Sequence, residues 1–527
     1  MSRLMRSNLV VASGTAVSRL TGLGRVFALG YVIGQTPVAD AYTLANETPN
    51  IVYDLLIGGV LSATLVPLFT SLSDSSPDSD PVENRRATNV VITTALAGIA
   101  LLTVVAVVAA PVIFRLYSLQ PSAAVDADTF RSAGTALTRI FLVQILFYGL
   151  TGVANGYLNS RRRFLAAAWS PAVSNLVIIA TLLSIPQAGS ATWALGDVLT
   201  DTRFRLTLGW GTTLSVAAMA AIVVPAMVRA GLNYRFEWNL RHPAVRKLIA
   251  LSGWTIGFVV ANQVALIVVR NLALGQGPGV AKAYFDAFVF FVLPHGLLAV
   301  SIATTFQPEL AHAVTTGDQT RFVRFASMGT RMIALLTLPA AVGMITLARP
   351  IIGLLKRGQF DLDAVDRTAP ILVALAIGLV GFSVYLFVLR GFYAHQDTRT
   401  PFILNVGENL LNIVLGLILI QVWGVFGLAL SYSIAYLVAA VAALAAMHAK
   451  VPDFTLRPVL VPMIPMVVAA VVMAAAIWAI VQRFDSHVGW SGIAEIAIGG
   501  SVGVAVYLVA LWVLRVPELR AVRRGLT

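Results

Sequence analysis

Apolar stretches long enough to cross a lipid bilayer recur along this chain from one end to the other, and they leave little room for any other fold. Hydrophobic residues make up 58% of the 527 residues and charged residues 12%, a balance typical of membrane proteins. Since one span needs about 20 apolar residues, the pattern predicts about fourteen transmembrane helices. They lie near residues 9–33, 46–72, 88–116, 133–157, 165–185, 206–229, 246–273, 281–307, 328–350, 368–390, 402–422, 424–448, 459–482 and 491–514.

The basic residues lie in alternate loops between these segments. One side of the membrane collects most of the arginines, including the run at 161–163, and the opposite loops hold few. The positive-inside rule therefore predicts that both termini are cytoplasmic. The net charge of +13 is expected to attract anionic lipid heads, and no nucleic-acid partner is expected. The chain has no cysteine, which excludes disulfides and thiol chemistry.

The two halves of the chain repeat each other. Four short matches occur in the same order at a spacing of about 240 residues, as in transporters built from two parallel repeats. Chance recurrence of the small residues that pack membrane helices is the alternative explanation. The matches pair residues 9–14 with 248–253, Ala39-Asp40-Ala41-Tyr42 with Ala281-Lys282-Ala283-Tyr284, Pro67 with Pro308, and Gly156-Tyr157 with Gly391-Phe392-Tyr393.

This repeat predicts an all-α polytopic membrane protein with two pseudo-symmetric six-helix lobes and two C-terminal helices. We expect an N-terminal lobe at 1–235, a C-terminal lobe at 236–450, and two further helices with a basic cytoplasmic tail at 451–527. The chain has no Walker A loop, and its six histidines show no metal-ligand spacing. No enzymatic activity, cofactor or metal site is therefore expected.

Two arginines, Arg19 and Arg25, lie inside the first apolar segment beside Gly22 and Gly24. Arginine in the hydrocarbon region costs at least about 3 kcal/mol unless it meets water, a partner charge or a ligand. Arg25 could extend to an interface, but Arg19 lies too near the middle of the segment. Six residues on a helix correspond to about 9 Å along the axis and about 120° around it. We expect the pair to line opposite flanks of a polar cavity beside helix-loosening glycines; a structural ion pair is the alternative.

Four further charged residues accompany this pair. Asp40 lies at the start of the second segment, where it either lines the cavity or stabilises the helix dipole. Glu47 and Asp54 lie deeper and are expected to pair with the two arginines, or else to hold the proton or sodium ion that couples transport. Arg270 lies late in the seventh segment, where it either lines the cavity or extends to the external interface.

Two polar groups stand out in the second half. Lys282 and Asp286 are four residues apart near the start of the eighth segment, a spacing that predicts a local ion pair on one helix. Glu408, Asn409 and Asn412 form a polar stripe in the eleventh segment. Interhelical hydrogen bonding is the expected role of this stripe, and a cation site is the alternative.

Short motifs spread over nearly the whole chain carry a family resemblance. The most specific is Gly391-Phe392-Tyr393-Ala394-His395-Gln396-Asp397-Thr398-Arg399-Thr400-Pro401. The others are Ala12-Ser13-Gly14, Ser18-Arg19…Gly22…Arg25, Ala39-Asp40-Ala41, Pro49-Asn50, Gly59-x-Leu61-Ser62-Ala63…Val66-Pro67, Asn159-Ser160-Arg161-Arg162-Arg163-Phe164, and Arg357-Gly358-Gln359-Phe360. Together they resemble the MurJ (MviN) lipid II flippases of the multidrug/oligosaccharidyl-lipid/polysaccharide exporter superfamily.

The resemblance implies a protein of the bacterial plasma membrane, with two lobes around a central cavity and two C-terminal helices forming a lipid-facing groove. It implies flipping of lipid II, an undecaprenyl-pyrophosphate-linked peptidoglycan precursor, from the inner to the outer leaflet by alternating access. Arg19, Arg25 and Asp40 fall on positions that the family uses in its cationic cavity. Guanidinium groups suit a pyrophosphate because they donate paired hydrogen bonds and stay charged. Coupling to Na⁺, H⁺ or the membrane potential and contacts with cell-wall synthesis proteins are further expectations.

The chain departs from the family pattern in two places. The family commonly has a basic pair in the second segment, where this chain has Tyr53 and Asp54, and often an arginine in the eighth, where residues 287–291 are apolar. Arg270 could replace one of these charges. The alternatives to lipid II flipping are transport of another polyprenyl-linked glycan and a non-transporting scaffold of cell-wall synthesis, which the missing basic pair favours.

Overall fold

The computed structural model describes residues 3–54, 65–71, 81–186 and 188–518. Within these ranges, the side chains of residues 3–12, 52–54, 66, 67, 71, 81 and 247–261 lie outside the description. The described backbone consists of helices joined by turns and irregular connections, and this part of the chain contains no strand. The predicted all-α membrane class is confirmed.

The first of two compact units is Met1–Gly279. Its two shortest helices, each of six residues, lie in connections between longer ones. The helices are α1 (Arg3–Ile33), α2 (Pro37–Asp54), α3 (Val66–Ser71), α4 (Pro81–Val108), α5 (Ala110–Tyr117), α6 (Ala127–Phe141), α7 (Gln144–Ser160), α8 (Leu165–Leu183), α9 (Leu195–Thr200), α10 (Thr202–Arg229) and α11 (Pro243–Gly275).

The second compact unit is Val280–Thr527. Its helices are α12 (Val280–Pro294), a π-turn (His295–Ala299), α13 (Val300–Thr315), α14 (Gln319–Thr346), α15 (Ala348–Gly353), α16 (Leu362–Ala376), α17 (Leu379–Ala394), α18 (Arg399–Lys450), α19 (Arg457–Leu460), a 3₁₀ turn (Val461–Met463), α20 (Ile464–Val481) and α21 (Gly489–Val513). By its contacts, α11 belongs to the first unit, whereas the sequence division at residue 235 assigns it to the second lobe. The functional division into lobes stays a prediction.

The membrane spans follow the apolar segments of the sequence. Within the described ranges, ten helices are long and apolar enough to cross a bilayer, or eleven if the bent pair α16 and α17 forms one span. The run α18 has 52 residues, about 78 Å of helix, which is more than twice the about 30 Å of a hydrocarbon core. Its backbone is not helical at Trp423 and Gly424, so it contains two apolar helices. The fold is compatible with the fourteen predicted spans, and that number stays a prediction.

Small residues bring the helices of the first unit close together. Helix α8 packs against both α1 and α10. A Cβ on Gly14 would lie 2.9 Å from Ala168, and a Cβ on Gly211 would lie 1.9 Å from Thr181. Because lipid tails are as apolar as the helix surfaces, such close backbone contact is a main source of association between membrane helices.

The second unit contains a bent span whose exposed backbone groups are bonded by a serine. Helices α16 and α17 meet at 46°, next to Gly378. The Ser433 hydroxyl accepts a hydrogen bond from the Gly378 N–H at 3.0 Å and lies 2.6 Å from the carbonyl oxygen of Ala374. The Gly378 N–H also bonds the Leu375 carbonyl at 3.0 Å. Because unbonded backbone groups are costly inside a membrane, this serine stabilises the bend.

A π-turn interrupts the eighth span between α12 and α13. His295 begins this turn, is buried, and forms a 3.0 Å hydrogen bond between its Nδ1 and the Ser383 hydroxyl of α17. Its ring lies edge-on to Phe382, with centroids 4.6 Å apart. The wide turn therefore places a polar ring against the neighbouring bent span, in the way that π-turns commonly displace side chains within helices.

Equivalent turns in the two sequence repeats have the same backbone geometry. After α7, the N–H of Arg163 bonds the carbonyl of Leu158 and Arg162 has φ +57°. After α17, the N–H of Asp397 bonds the carbonyl of Phe392, and the residue before it has φ +58°. This six-residue closure with a left-handed residue is the Schellman motif. Its recurrence supports the internal repeat.

The second of these turns is held by a polar network. Asp397 accepts hydrogen bonds from the Thr400 N–H at 3.0 Å, the Thr400 hydroxyl at 2.8 Å and the Lys450 ammonium at 2.8 Å. Burial by itself raises the pKa of Asp397, but the bonds from Lys450 and Thr400 outweigh it and lower the pKa to about 2. The network therefore ties the turn to the end of α18 and explains the density of polar residues in this motif.

Candidate functional site

The two arginines that were predicted to line a cavity lie on different sides of α1. Arg19 is exposed and Arg25 is half-buried, and α1 continues as an α-helix past Gly22 and Gly24. These glycines contact α8: a Cβ on Gly22 would lie 3.5 Å from Asn175, and a Cβ on Gly24 would lie 3.3 Å from a side chain of that helix. Both glycines therefore face α8, and the expectation that they loosen α1 stays a prediction.

A polar contact fixes the face that α1 presents to α8. The Asn175 amide donates hydrogen bonds to the Ser18 carbonyl at 3.1 Å and to the Thr21 hydroxyl at 3.2 Å. Thr21 itself donates to the Val17 carbonyl at 2.8 Å. The Ser18 carbonyl and the Thr21 hydroxyl therefore lie against α8, whereas Arg19 lies on a face that α8 leaves exposed.

Arg25 lies near a polar contact between α2 and α10. The hydroxyls of Tyr42 and Thr212 are buried and lie 2.9 Å apart. Arg25 is close enough for its positive charge to interact electrostatically with the Tyr42 hydroxyl. The Tyr42 ring packs edge-on against Phe141, with centroids 5.2 Å apart. Arg25 is therefore near this buried contact, and its side chain is half-buried whereas that of Arg19 is exposed.

Asp40 is buried in the first turn of α2. Its Oδ2 accepts a hydrogen bond from the backbone N–H of Gly279 at 2.6 Å. Gly279 has φ +77°, and Gly277 before it has φ +150°, so the connection after α11 uses conformations that favour glycine. Asp40 therefore holds this connection against α2. Whether it also lines a cavity stays a prediction.

Arg270 forms an ion pair with Glu47. Its Nη2 lies 3.3 and 3.4 Å from the two carboxylate oxygens, and the two side chains are 6% and 14% exposed. Glu47 was expected to pair with Arg19 or Arg25, and the observed partner corrects that expectation. The sequence could not identify it because the two residues are 223 positions apart.

The residue after Arg270 anchors the end of α11. Asn271 donates from its amide to the Leu116 carbonyl at 2.7 Å and accepts from the Leu119 N–H at 2.6 Å. Its side chain is buried, and it thereby satisfies backbone groups at the end of α5. Asn271 was not predicted from the sequence, although an amide beside an arginine late in an apolar segment is a usable signal.

A polar row runs along α2 at four-residue spacing. Asn46 accepts a hydrogen bond from Gln144 at 3.2 Å, and Asn50 accepts one from the Tyr148 hydroxyl at 2.8 Å. The spacing places these residues on the same face of α2 as Tyr42. Asp54 continues the spacing, but its side chain lies outside the described residues, so its predicted role stays a prediction.

The polar groups predicted in the second half are present in the second unit. Lys282 and Asp286 form the expected local ion pair, and both are fully buried. The Asn412 amide oxygen accepts a hydrogen bond from Ser431 at 3.0 Å, which confirms an interhelical bond for the polar stripe. Glu408 is buried, and among the described residues its Oε2 has no hydrogen-bond partner.

The fold defines a class of transporters. A multidrug resistance MATE family transporter of the MOP superfamily, in an inward-facing conformation, matches with a TM-score of 0.66 at 13% identity, over 84% of this chain and 99% of that one. A lipid II flippase MurJ in an inward closed conformation matches with a TM-score of 0.77 at 22% identity, over 96% and 98% of the two chains. The chain therefore has the helical fold of the MOP transporters.

Sequence comparison then narrows the class to one family. A family model described as lipid II flippase MurJ matches residues 29–497, so the chain belongs to the MurJ family of lipid II flippases. A lipid II flippase MurJ from Burkholderia cenocepacia is 28% identical over 440 residues, which cover 82% of this chain and 81% of the relative. The family consists of multi-pass membrane transporters rather than enzymes, and lipid II links it to cell-wall synthesis. The matched range begins after Arg19 and Arg25.

Proposed function

We propose that this chain moves lipid II from the inner to the outer leaflet by alternating access, with both termini in the cytoplasm. The observation that carries the proposal is the exposed guanidinium of Arg19 in the membrane-spanning helix of a MurJ-family chain. An arginine so far from the interfaces is stable there only beside water, an opposite charge or an anionic ligand. A pyrophosphate fits this requirement.

In the proposed site, Arg19 and Arg25 contact the pyrophosphate in different ways. Exposed Arg19 meets the ligand first, and its planar guanidinium donates two parallel hydrogen bonds to phosphate oxygens. Half-buried Arg25 contributes a second positive charge in the neighbourhood of Tyr42. Because the two lie about 120° apart around the helix, they suit two flanks of a broad ligand better than a single clamp.

Asp40, Asp54 and Arg270 complete the proposed substrate site. Asp40 holds the connection after α11 and thereby positions the end of that helix. Arg270 is already paired with Glu47, so substrate would have to compete with a carboxylate for its guanidinium. We propose that Arg270 engages the pyrophosphate only when this pair opens, which makes it a secondary ligand.

We further propose that transport is coupled to Na⁺, H⁺ or the membrane potential, and that Glu408 senses the coupling ion. A buried carboxylate in a membrane helix is costly unless it is protonated or bound to a cation. Glu408 is buried beside the hydrogen-bonded amides of Asn409 and Asn412. Glu408→Gln keeps the shape and removes the titration, so it should abolish the dependence of flipping on the coupling gradient.

The test uses a bacterial host depleted of its own flippase. The host is given the wild-type chain, Arg19→Ala, Arg19→Lys or the matched control Leu20→Ala, which changes an exposed neighbour on the same helix (69% exposed). Lipid II in the outer leaflet and membrane levels of each variant are measured. We expect rescue by wild type and Leu20→Ala, none by Arg19→Ala, and partial rescue by Arg19→Lys, which keeps the charge and loses the planar fork.

Each other result has a definite meaning. Rescue by Arg19→Ala at normal membrane levels would remove Arg19 from the mechanism. Failure of the wild-type chain, with normal levels in the membrane, would favour the alternatives of another polyprenyl-linked glycan or a non-transporting scaffold. Binding assays with cell-wall synthesis proteins would then separate these two alternatives.

A further inference from the structure

The connection between α10 and α11 carries a row of exposed apolar side chains. This connection, residues 231–242, is named the linker, and none of its residues is helical. Phe236, Trp238 and Leu240 alternate with polar residues and are 73%, 55% and 51% exposed. In an extended chain alternate side chains lie on opposite faces, so these three form one apolar row.

The polar face of the linker is attached to α4. Glu237 lies 3.4 Å from Arg86 and accepts a hydrogen bond from Asn89 at 3.5 Å. The backbone N–H of Glu237 donates a hydrogen bond to the Thr93 hydroxyl of α4 at 3.3 Å. These contacts fix the polar face against a membrane span, so the apolar row lies on the face turned away from α4.

The attachment points place the linker at the edge of the bilayer. Thr93 lies inside the apolar part of α4, whereas Glu83, which lies 3.2 Å from His242, is in its charged first turn. The linker therefore runs along α4 from the apolar to the polar side of the boundary. Tryptophan and other aromatic side chains are enriched at this depth because they have an apolar body and a polar edge.

The charges beside the row indicate which lipids it meets. Arg235 and Arg241 are exposed on the linker, and Arg246 is exposed just after it. Arginines near a membrane surface attract anionic headgroups. An apolar row flanked by arginines matches the interface of an anionic leaflet in both depth and charge.

We propose that the linker is a membrane anchor, with Phe236, Trp238 and Leu240 inserted among the headgroups of an anionic leaflet and Arg235 and Arg241 bound to their phosphates. The anchor fixes the depth of the connection between α10 and α11. It does not depend on the identity of the transported lipid. A protein partner on the same row is the competing occupant, and the experiment below distinguishes it.

The test exploits the absence of cysteine from the chain. Trp238→Cys in the intact protein is labelled with a polarity-sensitive fluorophore and placed in nanodiscs of phosphatidylcholine, alone or mixed with phosphatidylglycerol. Quenching is measured with headgroup-level nitroxide lipids and with aqueous iodide. The matched control is Gln319→Cys, an exposed position at the start of α14.

We expect the label at 238 to be quenched by nitroxide lipid and shielded from iodide, and the label at 319 to show the reverse. Quenching at 238 should be stronger with phosphatidylglycerol, and this difference should be lost in Arg235→Gln/Arg241→Gln. Quenching at 238 by iodide alone would place the row in water and overturn the proposal. Shielding from both quenchers would mean that protein covers the row, and would overturn it as well. Retention of the phosphatidylglycerol effect in the double variant would refute the role of the arginines.

Discussion

Ser433, which bonds backbone groups at the bend between α16 and α17, provides a quantitative prediction. In Ser433→Ala the hydroxyl is removed from a fully buried position. The Gly378 N–H keeps its bond to the Leu375 carbonyl at 3.0 Å. The group left without its partner is the Ala374 carbonyl, which the hydroxyl approaches to 2.6 Å.

The expected cost follows from this accounting. One buried backbone group that loses its hydrogen-bond partner costs about 1–3 kcal/mol. We expect about 1–2 kcal/mol here, because an unsatisfied carbonyl is tolerated better than an unsatisfied N–H group. That free energy corresponds to a roughly 5–30-fold increase in the population of locally opened molecules. The effect should be confined to the bend, since other hydrogen bonds of α16 and α17 are unchanged.

Amide hydrogen exchange in the segment 374–382, measured on the protein in nanodiscs, tests this reasoning. Exchange there should speed up by the stated factor in Ser433→Ala. The matched control is Ser301→Ala, an exposed serine whose hydroxyl bonds the Leu297 carbonyl of its own helix turn at 2.7 Å, and it should change little. Unchanged exchange at the bend in Ser433→Ala would refute the assignment of Ser433 as the group that stabilises it.

Three other changes have expected outcomes, each measured by unfolding in mixed detergent micelles. Glu47→Gln should lower the free energy of unfolding by about 3 kcal/mol, because it leaves the nearly buried guanidinium of Arg270 without its carboxylate. The double variant Glu47→Gln/Arg270→Gln should lose less stability than the single variant, and equal losses in the two variants would contradict this reasoning. Asp397 has a folded-state pKa of about 2, below its unfolded value, so its stabilisation exists above about pH 4 and is lost toward pH 2. Asp397→Asn should therefore cost about 1–2 kcal/mol at pH 7, reduced by solvent screening, and almost nothing near pH 2; a gap that persists in acid would contradict the ionic origin. Gln396→Gly should stabilise by up to about 1 kcal/mol by removing a Cβ from a left-handed residue, with Gln396→Ala as the neutral control; equal stability of all three proteins would show that the turn carries no strain.

The spans and the local pairs were predictable because they depend on short stretches of sequence. A run of apolar residues has few options in a membrane besides a helix, since every backbone group must be bonded. The pairing of Lys282 with Asp286 follows from one turn of helix. The row of Tyr42, Asn46 and Asn50 had the same four-residue signature and was available in the sequence.

The tertiary partners were not predictable because they depend on how helices distant in sequence come into register. Glu47 was expected to meet an arginine of the neighbouring helix and instead meets Arg270. Gly22 and Gly24 were marked only as glycines inside a helix, and the structure shows that both face the neighbouring helix α8. Composition identifies such residues as special, but only the packing of helices decides between flexibility and contact.

The two halves of the chain share the backbone geometry of one turn but carry different charges at matched positions. The turns at Arg162 and Gln396 close in the same way, yet matched positions near the start of the second and eighth spans hold Asp40 and Lys282. Asp40 accepts from a backbone N–H, and Lys282 pairs with an acid four residues on. A lysine at 40 would set a donor against a donor, and an aspartate at 282 would set two carboxylates together. The two helix starts are therefore no longer interchangeable. In a chimera that copied either helix start into the other half, the transferred side chain would lose its bonding partner.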